Sequence, residues 1–231
     1  SYSTFVAATW FCLWFDLALQ LHCHWNSALY DSNALSPNAR CCISCHLCHL
    51  SLLCSALVIS FDGGSDEGFF NVYIANRCTE MRKIYYGTRD YAVPYMLLAH
   101  HIADIKHEEL HWGNLVYAGK LMGYAGYGIV KQEYVDKFIT LYNSGNGEDI
   151  NKSHNTFLKI FDITHDTRYY GDEAKNLAAT NQYVFEKLFT EEIEPLLQQY
   201  PDLPIVIVGG CGLNILNNTK LAKLRTVFVP P

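Results

Sequence analysis

Charged residues are scarce in this sequence, and the basic ones are not clustered. Only 17% of the 231 residues are charged, and the formal net charge is −6. A nucleic-acid-binding surface needs clustered Lys and Arg side chains, so we expect no nucleic-acid partner. Half of the residues are hydrophobic, which is enough to fill a buried core and argues against a disordered chain.

The scarcity of charge is greatest in the first 60 residues, where the charged groups are Asp16, Asp31 and Arg40. The same stretch holds seven of the nine cysteines. An odd number of cysteines crowded into one region does not fit a disulfide framework. We therefore expect free thiols, as in a reducing cytoplasm.

A strongly apolar run covers residues 5–21 and raises the question of a membrane anchor. Asp16 interrupts the run, no basic residues flank it, and it is shorter than the ~20 residues that a spanning helix needs. A secretory signal would begin with positive charge, which is absent here. We expect no membrane segment, and two interpretations stay open: a buried helix, or sequence foreign to the native protein.

From residue 56 onward the hydrophobic pattern predicts an α/β fold. An antiparallel meander comes first, with strands predicted at 56–62, 69–75 and 81–86. The 3.6-residue period then predicts helices at 94–105, 115–122, 132–142 and 172–199. Pro195 is expected to kink or break the last of these helices. A strand at 203–208, a helix at 213–223 and a strand at 226–229 form a β-α-β unit.

The sequence FDGGSDEG at 61–68 places an acid and two glycines after a buried strand. The carboxylate of Asp62 could hold a metal, and Gly63 and Gly64 would let backbone N–H groups approach phosphate oxygens. Ligands of α/β proteins gather at such strand ends. The alternative is a plain hairpin turn, because Asp-Gly is a common turn pair.

A second glycine pair, Gly209 and Gly210, lies in GGCGLNILNN between a predicted strand and a helix. The start of that helix favours phosphate or an adenosine ribose. Asn214 would present its amide from the first helical turn. The alternative is a tight β-α turn in which Asn is the helix-start residue.

Two further segments carry candidate ligands. In CISCHLCHL at 42–50, Cys45 and His49 are four residues apart and share one helix face, where they could bind a transition metal. A zinc site, or cysteines that pack as small apolar residues, are the alternatives. In AGKLMGYAGYG at 118–128, Lys120 could reach a phosphate or could be an ordinary surface lysine.

In this order, the motifs resemble the carbamoyltransferase family of antibiotic and nodulation-factor biosynthesis. The first domain of that family is similar to the universal tRNA threonylcarbamoyl-transfer protein. The matching segments are HLCH at 46–49, VISFDGGSDEGFFNVY at 58–73, AGKLMGYAGYG at 118–128, GDEAKNLAATNQYVFEKL at 171–188 and VIVGGCGLNILNNTKL at 206–221. Residues 1–44 match nothing in the family, so we divide the chain into an unmatched, apolar, Cys-rich segment at 1–44 and a partial domain at 45–231.

The resemblance implies an actin-like, ribonuclease-H-like α/β domain with a mixed sheet. It also implies a cytoplasmic enzyme that moves a carbamoyl group from carbamoyl adenylate to the hydroxyl of a small molecule. In the family a carboxyl-terminal domain makes carbamoyl adenylate from carbamoyl phosphate and ATP. A metal, which is iron in related proteins, accompanies the nucleotide.

The resemblance also implies roles for individual residues. The metal ligands are expected to be Cys45, His49 and Asp62. The contacts to the nucleotide are expected from Gly63, Gly64, Lys120, Gly209, Gly210 and Asn214.

The sequence departs from the family pattern in one ligand position. Cys45 stands where the family has the first His of its HxxxH pair. The family's opening phosphate-binding hairpin and its adenylate-forming domain are also missing, so we expect a fragment that is inactive alone. A non-catalytic nucleotide-binding protein of the actin fold, or a pseudoenzyme, is the alternative.

Overall fold

A computed structural model describes residues 55–63, 68–76, 81–105, 116–144 and 149–230. Over these ranges the strands are β1 (Ser55–Phe61), β2 (Phe70–Asn76), β3 (Arg82–Gly87), β4 (Ile205–Val208) and β5 (Val227–Phe228). The helices are α1 (Ala92–Ala99), α2 (Val116–Ala125), α3 (Gln132–Tyr142), α4 (Ile150–Phe161), α5 (Gly171–Gln199) and α6 (Ile215–Ala222). A short 3-10 helix, Gly210–Leu213, precedes α6.

The five strands form one mixed sheet in the order β3-β2-β1-β4-β5. The β1–β2 and β2–β3 pairs are antiparallel, whereas β1–β4 and β4–β5 are parallel. The predicted meander and the predicted β-α-β unit are both confirmed, as is the actin-like, ribonuclease-H-like α/β class. Because β1 and β4 run in the same direction side by side, their carboxyl ends lie at the same edge of the sheet.

The central strand β1 is buried on both of its faces. Leu57, Ile59 and Phe61 pack into the main core with the helices, whereas Ala56 and Val58 join a smaller cluster on the other face. This alternation follows from the two-residue period of a strand. A central strand with two apolar faces reads as a continuous hydrophobic run, which is why 56–61 was recognisable.

Aromatic rings surround the carboxyl end of β1. Phe61 is fully buried, and its ring centroid lies 5.0 Å from that of Phe189 and 5.9 Å from that of Tyr91. Phe70 and Phe185 complete this group. Such edge-to-face and tilted ring pairs add to the stabilisation from burial alone. The group therefore fixes the position of Asp62, the next residue after Phe61.

The end of α1 differs most from the expected helix boundaries, and α5 is not interrupted where a break was expected. Helix α1 ends at Ala99 rather than at 105 because Ile102 pairs with Tyr169 in an isolated parallel bridge. Helix α5 continues through Pro195 to Gln199, so the predicted break is wrong. Buried apolar side chains on both sides of the proline, such as Ile193 and Leu197, keep the helix on the core and offset the missing hydrogen bond.

Helix α4 was not predicted, although the sequence contains its signals. The Asp149 side chain accepts hydrogen bonds from the N–H groups of Asn151 and Lys152, which makes it an N-cap. Phe157 and Phe161, four residues apart, are buried on one face. The polar run NKSHNT at 151–156, which precedes them, hid this pattern.

Within the described ranges, no helix is both long enough and apolar enough to cross a membrane. The apolar run at 5–21 lies outside those ranges.

Candidate functional site

Two glycine turns that are far apart in sequence meet at the edge of the sheet. The pairing of Ser60 with Val208 brings the ends of β1 and β4 together. The Gly210 N–H then donates to Oδ2 of Asp62 at 3.0 Å, across 148 residues of sequence. Oδ1 of Asp62 accepts from the Gly63 N–H at 2.7 Å. The first two motifs found in the sequence therefore form one structure.

The glycine pair after β4 is required by close backbone packing. Gly209 has a φ of +95°, and a Cβ at this position would lie 2.3 Å from the carbonyl oxygen of Phe61. A Cβ on Gly210 would lie 2.9 Å from Oδ1 of Asp62. Only glycine suits such a position at 209. Packing against β1 thus accounts for Gly209 before any ligand is considered.

A cavity of about 180 Å³ opens beside the Asp62–Gly210 hydrogen bond. Its polar side is formed by Asp62 and Asn214, and most of its remaining wall is apolar. The apolar wall includes Tyr91, Tyr95, Met96, Met122 and Phe185. An apolar cavity with a few polar groups is the usual character of a small-molecule site. Sites for whole drug-sized ligands exceed ~300 Å³, so this cavity suits part of a nucleotide, such as its base.

Asn214 lies in the cavity wall but is also held from behind. Its Oδ1 accepts from the backbone N–H of Asn217 at 3.0 Å, which caps α6. Gln182 on α5 exchanges two hydrogen bonds with the Asn214 amide, both 3.0 Å long. Gln182 was not predicted from the sequence. Its spacing of four from Glu186 within the matching segment 171–188 was the only available signal.

Asp90 is a second carboxylate close to the site that the sequence did not reveal. It is only 2% exposed, and its Oδ1 accepts from the N–H groups of Ala92 and Val93 at the start of α1. Its Oδ2 is buried without a hydrogen-bond partner. Burial raises the pKa of Asp90 to about 6, against the lowering effect of the two N–H groups, and the charge of Asp62 adds to the rise.

Cys211, which follows Gly210 in the second glycine motif, also lines the cavity. Burial, followed by the nearby charges of Asp62 and Asp90, raises the pKa of its thiol well above the ordinary value. The thiol is therefore neutral near pH 7. A neutral thiol is a poor nucleophile, so Cys211 contributes to the wall rather than to covalent chemistry.

Lys120 lies on the exposed side of α2. Its ammonium nitrogen is 5.7 Å from the centroid of the Tyr117 ring. The cavity wall is formed instead by its helix neighbours Ala118, Gly119 and Met122. A role for Lys120 with phosphate stays a prediction.

The expected metal site falls mostly outside the described residues. Asp62 is described, whereas Cys45, His49 and the nucleotide candidate Gly64 are not. In the part of the chain that the structure describes, no group of three or more His, Cys, Asp and Glu side chains could hold a metal ion. Asp62 is therefore the one expected metal ligand that the structure describes, and the metal site stays a prediction.

The chain is similar to known proteins over most of the described part. Residues 77–231 match the family described as "Carbamoyltransferase N-terminus". Nodulation protein U of Sinorhizobium fredii is 30% identical over 156 residues, covering 59% of this chain and 28% of that protein. Nodulation protein U of Bradyrhizobium diazoefficiens is 31% identical over 133 residues, covering 49% of this chain and 23% of that protein.

The chain spans about a quarter of the length of these curated relatives. The family match includes β4, its glycine turn and α6, and it begins after β1 and Asp62. The match nevertheless covers about two thirds of the chain and the whole of the long helix α5. By this match, the chain belongs to the carbamoyltransferase family through its amino-terminal domain.

Proposed function

We propose that this chain forms the nucleotide-binding wall of a carbamoyltransferase that acts on the hydroxyl of a small molecule. The observation that carries the proposal is the meeting of the two glycine turns beside the cavity, through the Asp62–Gly210 hydrogen bond. Ligands of open α/β sheets bind at the carboxyl ends of strands. Family membership supplies the type of reaction.

In the proposed reaction, the acceptor hydroxyl oxygen attacks the carbamoyl carbon of carbamoyl adenylate. A carbon–oxygen bond forms, the bond from that carbon to the phosphate oxygen breaks, and AMP leaves while the hydroxyl proton passes to solvent or to a base. The apolar wall, including Met122 and Phe185, would pack against the adenine ring. Asn214, Gly209 and Gly210 would lie beside the ribose and phosphate.

The formation of carbamoyl adenylate from carbamoyl phosphate and ATP is assigned to a carboxyl-terminal domain of the kind that the family has. This chain alone is expected to bind nucleotide without turnover. We place the complete enzyme in the cytoplasm. A divalent metal, with iron as the first candidate, would be held by Asp62 together with Cys45 and His49, and metal analysis of wild type against His49→Ala checks that set.

A non-catalytic nucleotide-binding protein is the second candidate function. Cys45 in the place of the first His of the family's metal pair favours it. The two candidates differ in one measurement. The assay contains a family adenylate-forming domain, carbamoyl phosphate, ATP and an acceptor. If this chain is a carbamoyltransferase, adding it speeds the release of AMP. If it is a non-catalytic protein, the rate of AMP release stays the same.

The cavity itself is tested by filling it. Gly119 lines the cavity, and a Cβ there would meet no atom within 4 Å, so Gly119→Leu narrows the cavity without a backbone clash. Gly123 lies on the same helix with equally open space but outside the cavity wall. We expect AMP binding, measured by calorimetry, to be lost in Gly119→Leu and kept in Gly123→Leu. Equal binding by both variants would remove the cavity as the nucleotide site.

A further inference from the structure

Gln182 lies behind the cavity wall with every hydrogen-bonding position of its side chain in use. Its Oε1 accepts from the Tyr95 hydroxyl at 2.7 Å and from Nδ2 of Asn214 at 3.0 Å. Its Nε2 donates to Oε1 of Glu186 at 2.7 Å and to Oδ1 of Asn214 at 3.0 Å. A glutamine amide has two N–H donors and two acceptor positions. All four are therefore occupied.

The orientation of the Gln182 amide is fixed by the Glu186 carboxylate. The Glu186 carboxylate, which forms an ion pair with Lys220, can only accept, so the NH₂ group of Gln182 must face it. Burial raises the pKa of the Tyr95 hydroxyl, so that group keeps its proton and donates to the other end of the amide. Rotation of the amide by 180° would place its oxygen against the Glu186 carboxylate, whereas the Tyr95 hydroxyl could pair with either end, so Glu186 sets the orientation.

The Asn214 amide is fixed in the same way. The backbone N–H of Asn217 can only donate, so Oδ1 of Asn214 must face it. Gln182 Nε2 supplies the second donor to that oxygen, and one hydrogen of Nδ2 is used by Gln182 Oε1. The Asn214 side chain therefore has one N–H left to donate to a ligand, and both of its acceptor positions are occupied.

We propose that Gln182 is a positioning residue that sets the hydrogen-bond polarity of the cavity. It holds Asn214, which lines the cavity, so that this side chain donates one hydrogen bond and accepts none. A ligand must then present an acceptor atom at that point, such as an unprotonated ring nitrogen or a ribose oxygen. The inference rests on the proposed use of the cavity for an adenine nucleotide.

The test compares AMP with analogues that each lack one acceptor: 1-deaza-AMP, 3-deaza-AMP, 7-deaza-AMP and 2′-deoxy-AMP. We expect wild type to bind one of them about tenfold more weakly than AMP, the usual effect of losing one well-made hydrogen bond. In Gln182→Met, which keeps the volume but removes the amide, Asn214 keeps its hydrogen bond from the Asn217 N–H but loses the two bonds to Gln182. One acceptor position and a second N–H of Asn214 then become available, and the side chain is held less firmly. The tenfold difference is then expected to fall below about threefold.

The matched control is Asn181→Leu, the neighbouring position on α5. Asn181 is a buried amide that accepts from the Tyr142 hydroxyl and donates to the Tyr95 carbonyl, so its side-chain hydrogen bonds go to groups other than the side chains of Asn214 and Gln182. The Asn181→Leu variant therefore loses comparable hydrogen bonds. It is expected to keep the tenfold difference in affinity between AMP and the weaker analogue. If Gln182→Met fails to fold, Glu186→Gln serves instead, because an amide at 186 can pair with either orientation of Gln182.

Each outcome decides a different statement. If wild type binds AMP and all four analogues equally, the inferred polarity is overturned while the nucleotide site stands. If Gln182→Met keeps the tenfold difference, Gln182 does not position Asn214. If wild type binds no AMP at all, the proposed function falls, and the inferred polarity falls with it. Slowed hydrogen exchange of the Asn214 side-chain amide in wild type, lost in Gln182→Met, is the further readout expected without ligand.

Discussion

Helix α5 carries two buried carboxylates that are neutralised in different ways. Glu192 accepts from Arg89 at 2.7 Å, from the Tyr91 hydroxyl at 2.6 Å and from the Tyr85 hydroxyl at 3.1 Å. These donors belong to β3 and the segment that follows it. Gly87 fits only because it has no side chain, since a Cβ there would lie 2.1 Å from Glu192. Glu192 thus connects β3 and the segment after it to α5 through hydrogen bonds.

Glu186, six residues earlier on α5, is equally buried but makes its contacts with another region. It accepts from Gln182 and forms an ion pair with Lys220, whose side chain is 59% exposed. Through Gln182 it acts on Asn214 and so on the cavity. The Glu192 network touches the cavity only through the ring of Tyr91, whose hydroxyl is already used. Both glutamates are buried and paired with a cation, so these properties do not separate them. Glu186 differs from Glu192 because its hydrogen bonds lead through Gln182 to Asn214 in the cavity wall.

The largest effect is expected from Glu192→Ala. It leaves Arg89, 26% exposed, without its counter-charge and two tyrosine hydroxyls without their acceptor. Breaking such a pair costs about 3–5 kcal/mol of the free energy of unfolding. Urea unfolding followed by circular dichroism measures this loss. AMP affinity under native conditions is expected to change less than threefold. A larger change would mean that the hydrogen bonds of Glu192 also influence the cavity.

Asp90→Asn extends the comparison to a buried carboxylate without a cation. The folded pKa of about 6 exceeds the unfolded value, so the folded state holds its proton more tightly. The free energy of unfolding therefore falls as pH rises from about 4 to 7. Asn keeps the cap on α1 but not the charge, and each pKa unit corresponds to about 1.4 kcal/mol. The variant is expected to be about 1–3 kcal/mol more stable at pH 8.

The pH series supplies its own control. At pH 4 the wild-type carboxyl is largely protonated, so wild type and Asp90→Asn are expected to unfold at similar urea concentrations. Asp90→Ala removes the acceptor of the two N–H groups as well as the charge, so it is expected to be about 1 kcal/mol less stable than Asp90→Asn at both pH values. A stability difference between wild type and Asp90→Asn that does not change with pH would contradict the assigned cause.

Glu186→Gln is expected to cost less than Glu192→Ala. The partner cation, Lys220, is exposed to water, and the new amide oxygen can still accept from Gln182. We therefore expect the free energy of unfolding to fall by about 1–2 kcal/mol. Unlike Glu192→Ala, it is expected to weaken the discrimination between AMP and its analogues. Urea unfolding and AMP titration on the same sample measure both. Unchanged discrimination would place Glu186 with Glu192 as a purely structural residue.

The smallest effect is expected from Tyr85→Phe. The variant removes one of the three donors to Glu192 and keeps the ring that packs on Phe70. The loss of one such hydrogen bond costs about 1 kcal/mol. Thermal and urea unfolding are expected to show this loss with no change in AMP binding. A loss as large as that of Glu192→Ala would mean that the tyrosine, rather than Arg89, carries the network.

The elements that were predicted correctly are those whose signals are local. The apolar run of β1, the β-branched run of β4 and the glycines that end them are all visible within a few residues. The signals for helix α4 are local as well, but its apolar face is sparse and did not lead to a prediction. The end of α1 could not be placed because a bridge to Tyr169, far along the chain, decides it.

The site was predictable only as separate pieces. Asp62 and Gly210 were each selected for their position after a strand, but their hydrogen bond depends on strand order. Gln182 and Asp90 carry no sequence signature, because their roles arise from contacts with distant segments and from burial. The family resemblance supplied candidate residues without showing which groups hold them in place.

The contact between Asp62 and Gly210 has a consequence for the order of folding. It closes a loop that contains β2, β3 and the helices α1 to α5. The entropy of closing so long a loop must be overcome before the contact contributes any stability. A partly folded chain in which this contact has not yet formed would therefore lack this side of the cavity. The nucleotide proposed to bind there is expected to slow the unfolding of the finished domain and to leave its rate of folding unchanged.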